Sequence, residues 1–198
     1  MTFKAGKRIF SAEDKFNSLY AIRSGAVKTQ KYTYSGTNRI SGFFFPGDLV
    51  GVESIGDSAY HNDAITLSDT TVCELPFNLL ETLCDSIPML RREVMILLAR
   101  KIRDSDQMMA NGRTLHGEVR LLLFLRDLYQ RYGTQCQDGS VRVRLPMSKN
   151  DIACHLGLRP ESLSRALHKL QCDGMIRNNA KSIDLLNMET NINMLCGQ

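Results

Sequence analysis

The periodicity of the apolar residues changes once along this chain, near residue 88, and that change constrains the fold more than any other feature. Upstream, short runs rich in Val, Ile, Phe, Tyr and Thr (18–22, 26–34, 39–45, 64–66 and 71–76) are separated by Ser24-Gly25, Ser35-Gly36, Pro46-Gly47-Asp48 and Gly56-Asp57. Such closely spaced turn signals between β-rich runs predict a sandwich or barrel. Downstream, apolar residues recur at helical spacing from Pro88 to Gly112, with no internal Gly or Pro to stop a helix. One long helix is therefore expected there, and the fold class is α+β, an all-β body followed by helices.

Within the long helix Met95, Leu98, Ile102, Ser105 and Met109 fall at spacings of 3, 4, 3 and 4, the spacing of a helix–helix seam. Val94, Ile96 and Leu97 widen the apolar surface, which suits a helix touching both its own barrel and a partner helix. Ser105 carries no charge, so the seam contains no like-charge pair to oppose self-association. The expected divisions are 1–87 for the β-rich domain, 88–112 for a dimerisation helix and 113–198 for a third region.

That third region opens with a second helix, Gly117 to Tyr132, ended by Gly133. In Val141-Arg-Val-Arg-Leu145 apolar and basic residues alternate, as in a half-buried strand. Ser148, with Asp151 three residues on, resembles a capping box opening a short helix from Lys149 to His155. Leu156-Gly157-Leu158 supplies a turn, and Pro160 suits the first position of a helix running to Gln171. Two short helices joined by a glycine-containing turn form a helix-turn-helix.

The second of these helices has two faces. Leu163, Leu167 and Leu170 line one, while Glu161, Ser164, Arg165 and His168 line another. The second set has the chemistry of base reading: Arg donates two hydrogen bonds to guanine, Glu accepts from cytosine, and Ser reaches a base edge or phosphate. A solvated Glu–Arg pair at i,i+4 is the commoner meaning of that spacing alone, but the helix-turn-helix frame favours base contact. Ser162, Arg159 and Lys149 flank the set as further DNA-contact candidates. Residues 172–185 read as a β-hairpin wing with its tip at 178–181.

Charge divides in the same direction. Residues 1–87 carry a net −2 and residues 88–198 a net +6, so the second half suits a polyanion such as nucleic acid. No apolar run approaches the roughly 20 residues of a membrane span, and the N-terminus lacks the apolar core of a secretory signal, so a cytoplasmic location is expected. The six cysteines and four histidines are dispersed without a Cys-x-x-Cys, which argues against a zinc ribbon or finger and for reduced thiols. Cys84, Cys136, Cys154 and Cys172 are expected to be small buried hydrophobes. A metal-dependent, cupin-like enzyme would need clustered ligands; the β-rich half holds one histidine, His61, so no enzymatic activity is expected.

These segments resemble the CRP/FNR transcription regulators, specifically the FNR (fumarate and nitrate reduction) branch. The likeness runs through Ser18-Leu-Tyr-Ala-Ile-Arg-Ser-Gly25, Gly42-Phe, Gly47-Asp-Leu-Val-Gly51, Ile55-Gly56, Val72-Cys-Glu-Leu-Pro-Phe77, Leu156-Gly-Leu158, Glu161-Ser-Leu-Ser-Arg165 and Gly174-Met175. It implies an N-terminal cyclic-nucleotide-binding-like β-roll, a long dimerisation helix and a C-terminal winged helix. It also implies a homodimer reading TTGAT…ATCAA through Glu161, Ser164 and Arg165, with RNA polymerase as a further partner touched by the loop Tyr34–Arg39.

FNR proteins hold a [4Fe–4S] cluster on three N-terminal cysteines and one in the roll. Cys73 matches the roll ligand and the other three have no counterpart, so no cofactor is expected unless a cysteine-bearing segment precedes Met1. The chain then reads either as a shortened oxygen sensor or as a regulator without the cluster. Cyclic AMP binding is not expected, because the stretch Gly56–Asp63, where relatives supply an Arg-Ser pair to the phosphate, has no Arg and carries Asp57 and Asp63. A thiol-responsive regulator on the same scaffold is the alternative.

Overall fold

The computed structural model describes residues 1–32, 38–179 and 182–186, without the side chains of 108 and 111–114. It forms two compact units, Met1–Met108 and Met109–Gln198.

Among the described residues the first unit is a β-roll of eight strands: β1 (Thr2–Phe3), β2 (Arg8–Phe10), β3 (Ser18–Ser24), β4 (Val27–Tyr32), β5 (Asn38–Phe44), β6 (Leu49–Val50), β7 (Asp63–Thr66) and β8 (Thr70–Pro76). They form two antiparallel sheets, ordered β1-β8-β3-β6 and β2-β7-β4-β5. Side chains alternate across each strand, and the inward set, with Phe10, Ile22, Val27, Phe44, Val50 and Val72 among it, is buried in one core. The rings of Phe10 and Tyr60 stack within it at 3.8 Å. The turn from β3 to β4 requires Gly25, whose φ is +88° and whose missing Cβ would collide with the backbone and hydroxyl of Thr70.

Each expected run contains a strand, with residues 33–34 outside the described residues, but residues 77–86 depart from expectation. They form a helix, α1 (Phe77–Ser86), none of whose residues is buried. Next comes α2 (Pro88–Thr114), which passes through Gly112. Lys101 Nζ lies 4.0 Å from the centroid of the Phe44 ring, so α2 does touch its own roll. The seam faces outward: Met95 is 65% exposed, Ile102 64% and Met109 57%. Ser105 is also exposed and Leu98 half-buried.

The second unit comprises α3 (Gly117–Tyr132), β9 (Thr134–Gln135), β10 (Val141–Arg144), α4 (Lys149–Leu156), α5 (Pro160–Cys172), β11 (Ile176–Asn179) and β12 (Ser182–Leu185). Its sheet is antiparallel, ordered β11-β12-β10-β9. Val141, Val143, Ile183 and Leu185 are buried, together with Leu121, Leu125 and Leu128 of α3. The wing hairpin differs from expectation: Asn178 and Asn179 lie in β11, pairing with Ile183 and Ser182. Ladder pairing continues through these two residues, and residues 180–181 lie outside the described residues.

Candidate nucleic-acid interface

The start of α4 is fixed by a capping box. Ser148 Oγ accepts from the Asp151 N–H at 3.0 Å, and the Asp151 carboxylate accepts from the Ser148 N–H at 3.3 Å. Lys149, the first residue inside this cap, is exposed. At the other end Gly157 takes the left-handed conformation at φ +63°, which an L-residue adopts at a cost. The Leu158 N–H returns to the Ala153 carbonyl at 2.8 Å, and the chain turns into α5 at Pro160, whose absent N–H costs nothing at that position.

Helix α5 is divided as its sequence requires. Leu163, Ala166, Leu167 and Leu170 are buried, and each large side chain contributes about 1.5–3 kcal/mol by burial. Glu161, Ser164, Arg165 and His168 are all exposed, as is Arg159 just before the helix. Ser162 differs: it is half-buried, and its Oγ lies 3.2 Å from Arg165 Nη2, which donates to it. The guanidinium is thereby steadied by the helix's own preceding turn. The ring nitrogens of His168 lie 3.7 and 3.8 Å from Cys172 Sγ. Lys169 Nζ reaches Glu118 Oε1 of α3 at 3.5 Å, and this bridge lies beside the exposed set, leaving it open.

A second polar constellation, invisible as local spacing, lies on the outer face of the wing. Arg142, Asp184 and Arg177 stand in one register across β10, β12 and β11. Arg142 and Asp184 form a two-bond pair, Arg177 Nη1 is 3.9 Å from Asp184 Oδ2, and Asn179 Nδ2 donates to the same oxygen at 3.2 Å. Asp184 has no exposed side-chain surface. The hydrogen bonds from Arg142 hold its carboxyl below the usual carboxylate range, against the opposing effect of burial.

The cysteines correct one expectation. Cys73 and Cys172 are exposed, and Cys84, Cys136 and Cys154 are half-buried. In α4 the buried positions are Ile152 and Ala153, which turns Cys154 off the core. Cys172 sits on the exposed side of α5, opposite the leucines. Cys196 and the loop residues 33–37 lie outside the described residues.

A β-roll, a long helix and a winged helix with an open polar face on its recognition helix together define a DNA-binding transcription regulator. Residues 1–86 match the cyclic nucleotide-binding domain model and residues 119–190 the Crp-like helix-turn-helix domain model. Over 183 residues the chain is 37% identical to the transcriptional activator protein anr of Pseudomonas aeruginosa, covering 92% of this chain and 75% of that protein. The chain belongs to the CRP/FNR family. The transcriptional activator protein FnrA of Stutzerimonas stutzeri is 36% identical over the same shares. Among solved structures, FixK2 from Bradyrhizobium japonicum superposes with a TM-score of 0.88 at 25% identity, over 98% of this chain and 95% of that one.

Two groups that the family implies, a cyclic phosphate and a [4Fe–4S] cluster, do not fit the described residues. A cyclic phosphate needs a cation or free N–H donors, whereas the charged side chains of the segment Glu53–Asp63 are carboxylates apart from His61. Glu53 accepts from Asn62 at 2.9 Å, Asp57 pairs with His61 at 2.7 Å, and Asp63 accepts the Ala12 N–H at 2.9 Å and meets Arg8 at 3.4 Å. This donor set does not fit an anion. For a four-thiolate cluster, no three His, Cys, Asp or Glu side chains gather among the described residues, so Cys73 has no companions there and the described residues do not fit that group either.

Proposed function

We propose that the chain acts as a homodimeric, sequence-specific transcription regulator of the FNR type, reading a TTGAT-N4-ATCAA-like palindrome through Glu161, Ser164 and Arg165. The single observation that carries this is the division of α5: its leucine face is buried while Glu161, Ser164, Arg165 and His168 stand exposed on the first three turns. Those turns are the part of a recognition helix that enters the major groove. Lys149 and Arg159 lie close by for phosphates, and Ser162 acts through Arg165.

Dimerisation is assigned to the outward seam Met95, Leu98, Ile102, Ser105 and Met109. On a palindrome, a symmetric dimer places two recognition helices about one DNA turn, roughly 34 Å, apart. The names of the relatives anr and FnrA support activation, which adds RNA polymerase as a partner and a cytoplasmic site of action; no helix among the described residues is long and apolar enough to cross a membrane. DNA reading here draws on protein side chains alone, and a [4Fe–4S] cluster would require a cysteine segment ahead of residue 1.

Replacing Arg165 by Ala tests the assignment. Affinity for the palindrome should fall by about 1–3 kcal/mol while affinity for scrambled DNA stays unchanged; equal losses on both would refute base reading. A thiol-responsive mode is favoured by one observation, the exposed Cys172 thiol against His168 on the DNA-reading helix. A low-molecular-weight disulfide should then weaken palindrome binding, and Cys172→Ser should remove that response.

A further inference from the structure

Arg120, on α3, departs from the ordinary bookkeeping of buried donors. Among the described residues its Nε is the one buried side-chain nitrogen or oxygen without a hydrogen-bond partner, where native interiors satisfy the large majority of such groups. The other end of the guanidinium is committed. Nη1 donates to the carbonyl of Leu156, the last residue of α4, at 2.8 Å, and lies 3.8 Å from the place a Cβ on Gly157 would take. The cation therefore sits at the negative end of α4, against the left-handed residue that starts the turn of the helix-turn-helix.

The neighbours of Arg120 on α3 grip the same segment. Gly117, Arg120 and Phe124 follow one another at spacings of 3 and 4, which puts them on one helix face. Gly117 admits Leu158, whose Cδ2 would stand 3.3 Å from a Cβ there. The Phe124 ring meets His155 at a centroid distance of 5.4 Å. Three successive positions of α3 thus hold the end of α4 and the turn, and Arg120 supplies a polar, directional contact to it.

We infer that Arg120 is a positioning residue for DNA reading: it fixes the turn between α4 and α5 against α3, and so sets where the recognition helix begins. Arg159 and Pro160 follow Gly157 by two and three residues, so a turn released from α3 carries Glu161, Ser164 and Arg165 with it as a block. Base contacts need that block placed to within a hydrogen bond's tolerance. Non-specific binding depends on summed charge and is insensitive to such a shift. The inference rests on the DNA-reading assignment above.

The test compares the wild-type chain, Arg120→Met and Arg120→Lys on palindromic and scrambled duplexes at one salt concentration. Hydrogen exchange is followed at the Gly157 and Leu158 amides, which donate to Cys154 and Ala153 at 3.2 and 2.8 Å. The Met variant should lose about tenfold in palindrome preference, the effect of one charge-assisted hydrogen bond. Its Gly157 and Leu158 amides should exchange faster while those of buried Leu121 and Leu125 do not. The Lys variant, which keeps a charged donor, should recover most of the preference. If the wild type itself shows no preference, the DNA-reading assignment fails. If the wild type discriminates and the folded Met variant discriminates equally, the role of Arg120 is refuted. Should the Met variant not fold, Arg120→Gln, which keeps a neutral donor, is read in the same way: lost preference with faster Gly157 and Leu158 exchange upholds the role, and unchanged preference in the folded protein overturns it.

Discussion

Arg142 and Asp184 stand directly opposite one another on β10 and β12, and they are joined by two parallel hydrogen bonds, Nε to Oδ1 at 2.7 Å and Nη2 to Oδ2 at 2.9 Å. The carboxylate is fully buried beneath a guanidinium that stays half-exposed. A buried charge persists only when it is paired and hydrogen-bonded, so this contact ties β12 of the wing to β10 at one register. Replacing Asp184 by Asn removes the charge and one acceptor. The winged-helix unit should lose about 1–3 kcal/mol of stability, measured by urea unfolding, with the melting of the roll unchanged.

Acid should act through the same face. Asp138 is held at about 2, first by the side-chain hydrogen bond from Ser140, then by the Ser140 N–H and by Arg177, and Asp184 is lowered chiefly by Arg142. Both folded values lie below the unfolded ones, so their stabilisation is complete above about pH 4 and is lost as pH falls through the folded values. Unfolding midpoints of the wild type should therefore drop between about pH 4 and 2, and Asp184→Asn should flatten that drop. A pH-independent difference between the two proteins would contradict the assignment.

The seam on α2 makes a separate claim. Ile102 is exposed in the single chain, so Ile102→Glu should leave each unit folded. In a dimer it removes two buried side chains and sets two carboxylates close together, a loss of roughly 3 kcal/mol or more across the pair. Sedimentation should show monomers at concentrations where the wild type is dimeric. An undiminished dimer would move the interface elsewhere.

The roll should ignore cyclic nucleotides. With Glu53, Asp57 and Asp63 contributing carboxylates to the segment, a cyclic phosphate meets like charge. Excess adenosine or guanosine 3′,5′-cyclic monophosphate should leave the melting temperature unchanged, since a ligand that does not bind the native state cannot stabilise it. A dose-dependent rise would overturn this reading.

Much of the fold was legible in the sequence because its signals are local. The Ser24-Gly25 turn, the Ser148–Asp151 cap, Gly157 and Pro160 each act within a few residues, and the structure puts elements where they point. Helix α1 was missed because it buries no residue and begins at Pro76 without a side-chain cap, so neither a core stripe nor a cap marks it. Strands β1, β6 and β9 have two residues each and are defined by their partners rather than by their own pattern. At the candidate site the exposed set on α5 follows from helical spacing alone. Arg120 with Leu156, and Arg142 with Asp184, are separated by 36 and 42 residues, and no spacing rule connects such pairs. The burial of Cys172 was misjudged because composition favours burial of thiols, whereas face decides it: Cys172 lies on the side of α5 away from buried Leu163, Leu167 and Leu170 and is exposed.

The most direct test of the central claim is a binding titration of the full chain, in air and at fixed salt, on a TTGAT-N4-ATCAA duplex beside a scrambled duplex of the same composition. A preference of at least about a thousandfold for the palindrome, the lower end of the range for specific regulators, is the expected result, with one dimer bound per site. Equal affinity for both duplexes would contradict sequence reading by Glu161, Ser164 and Arg165.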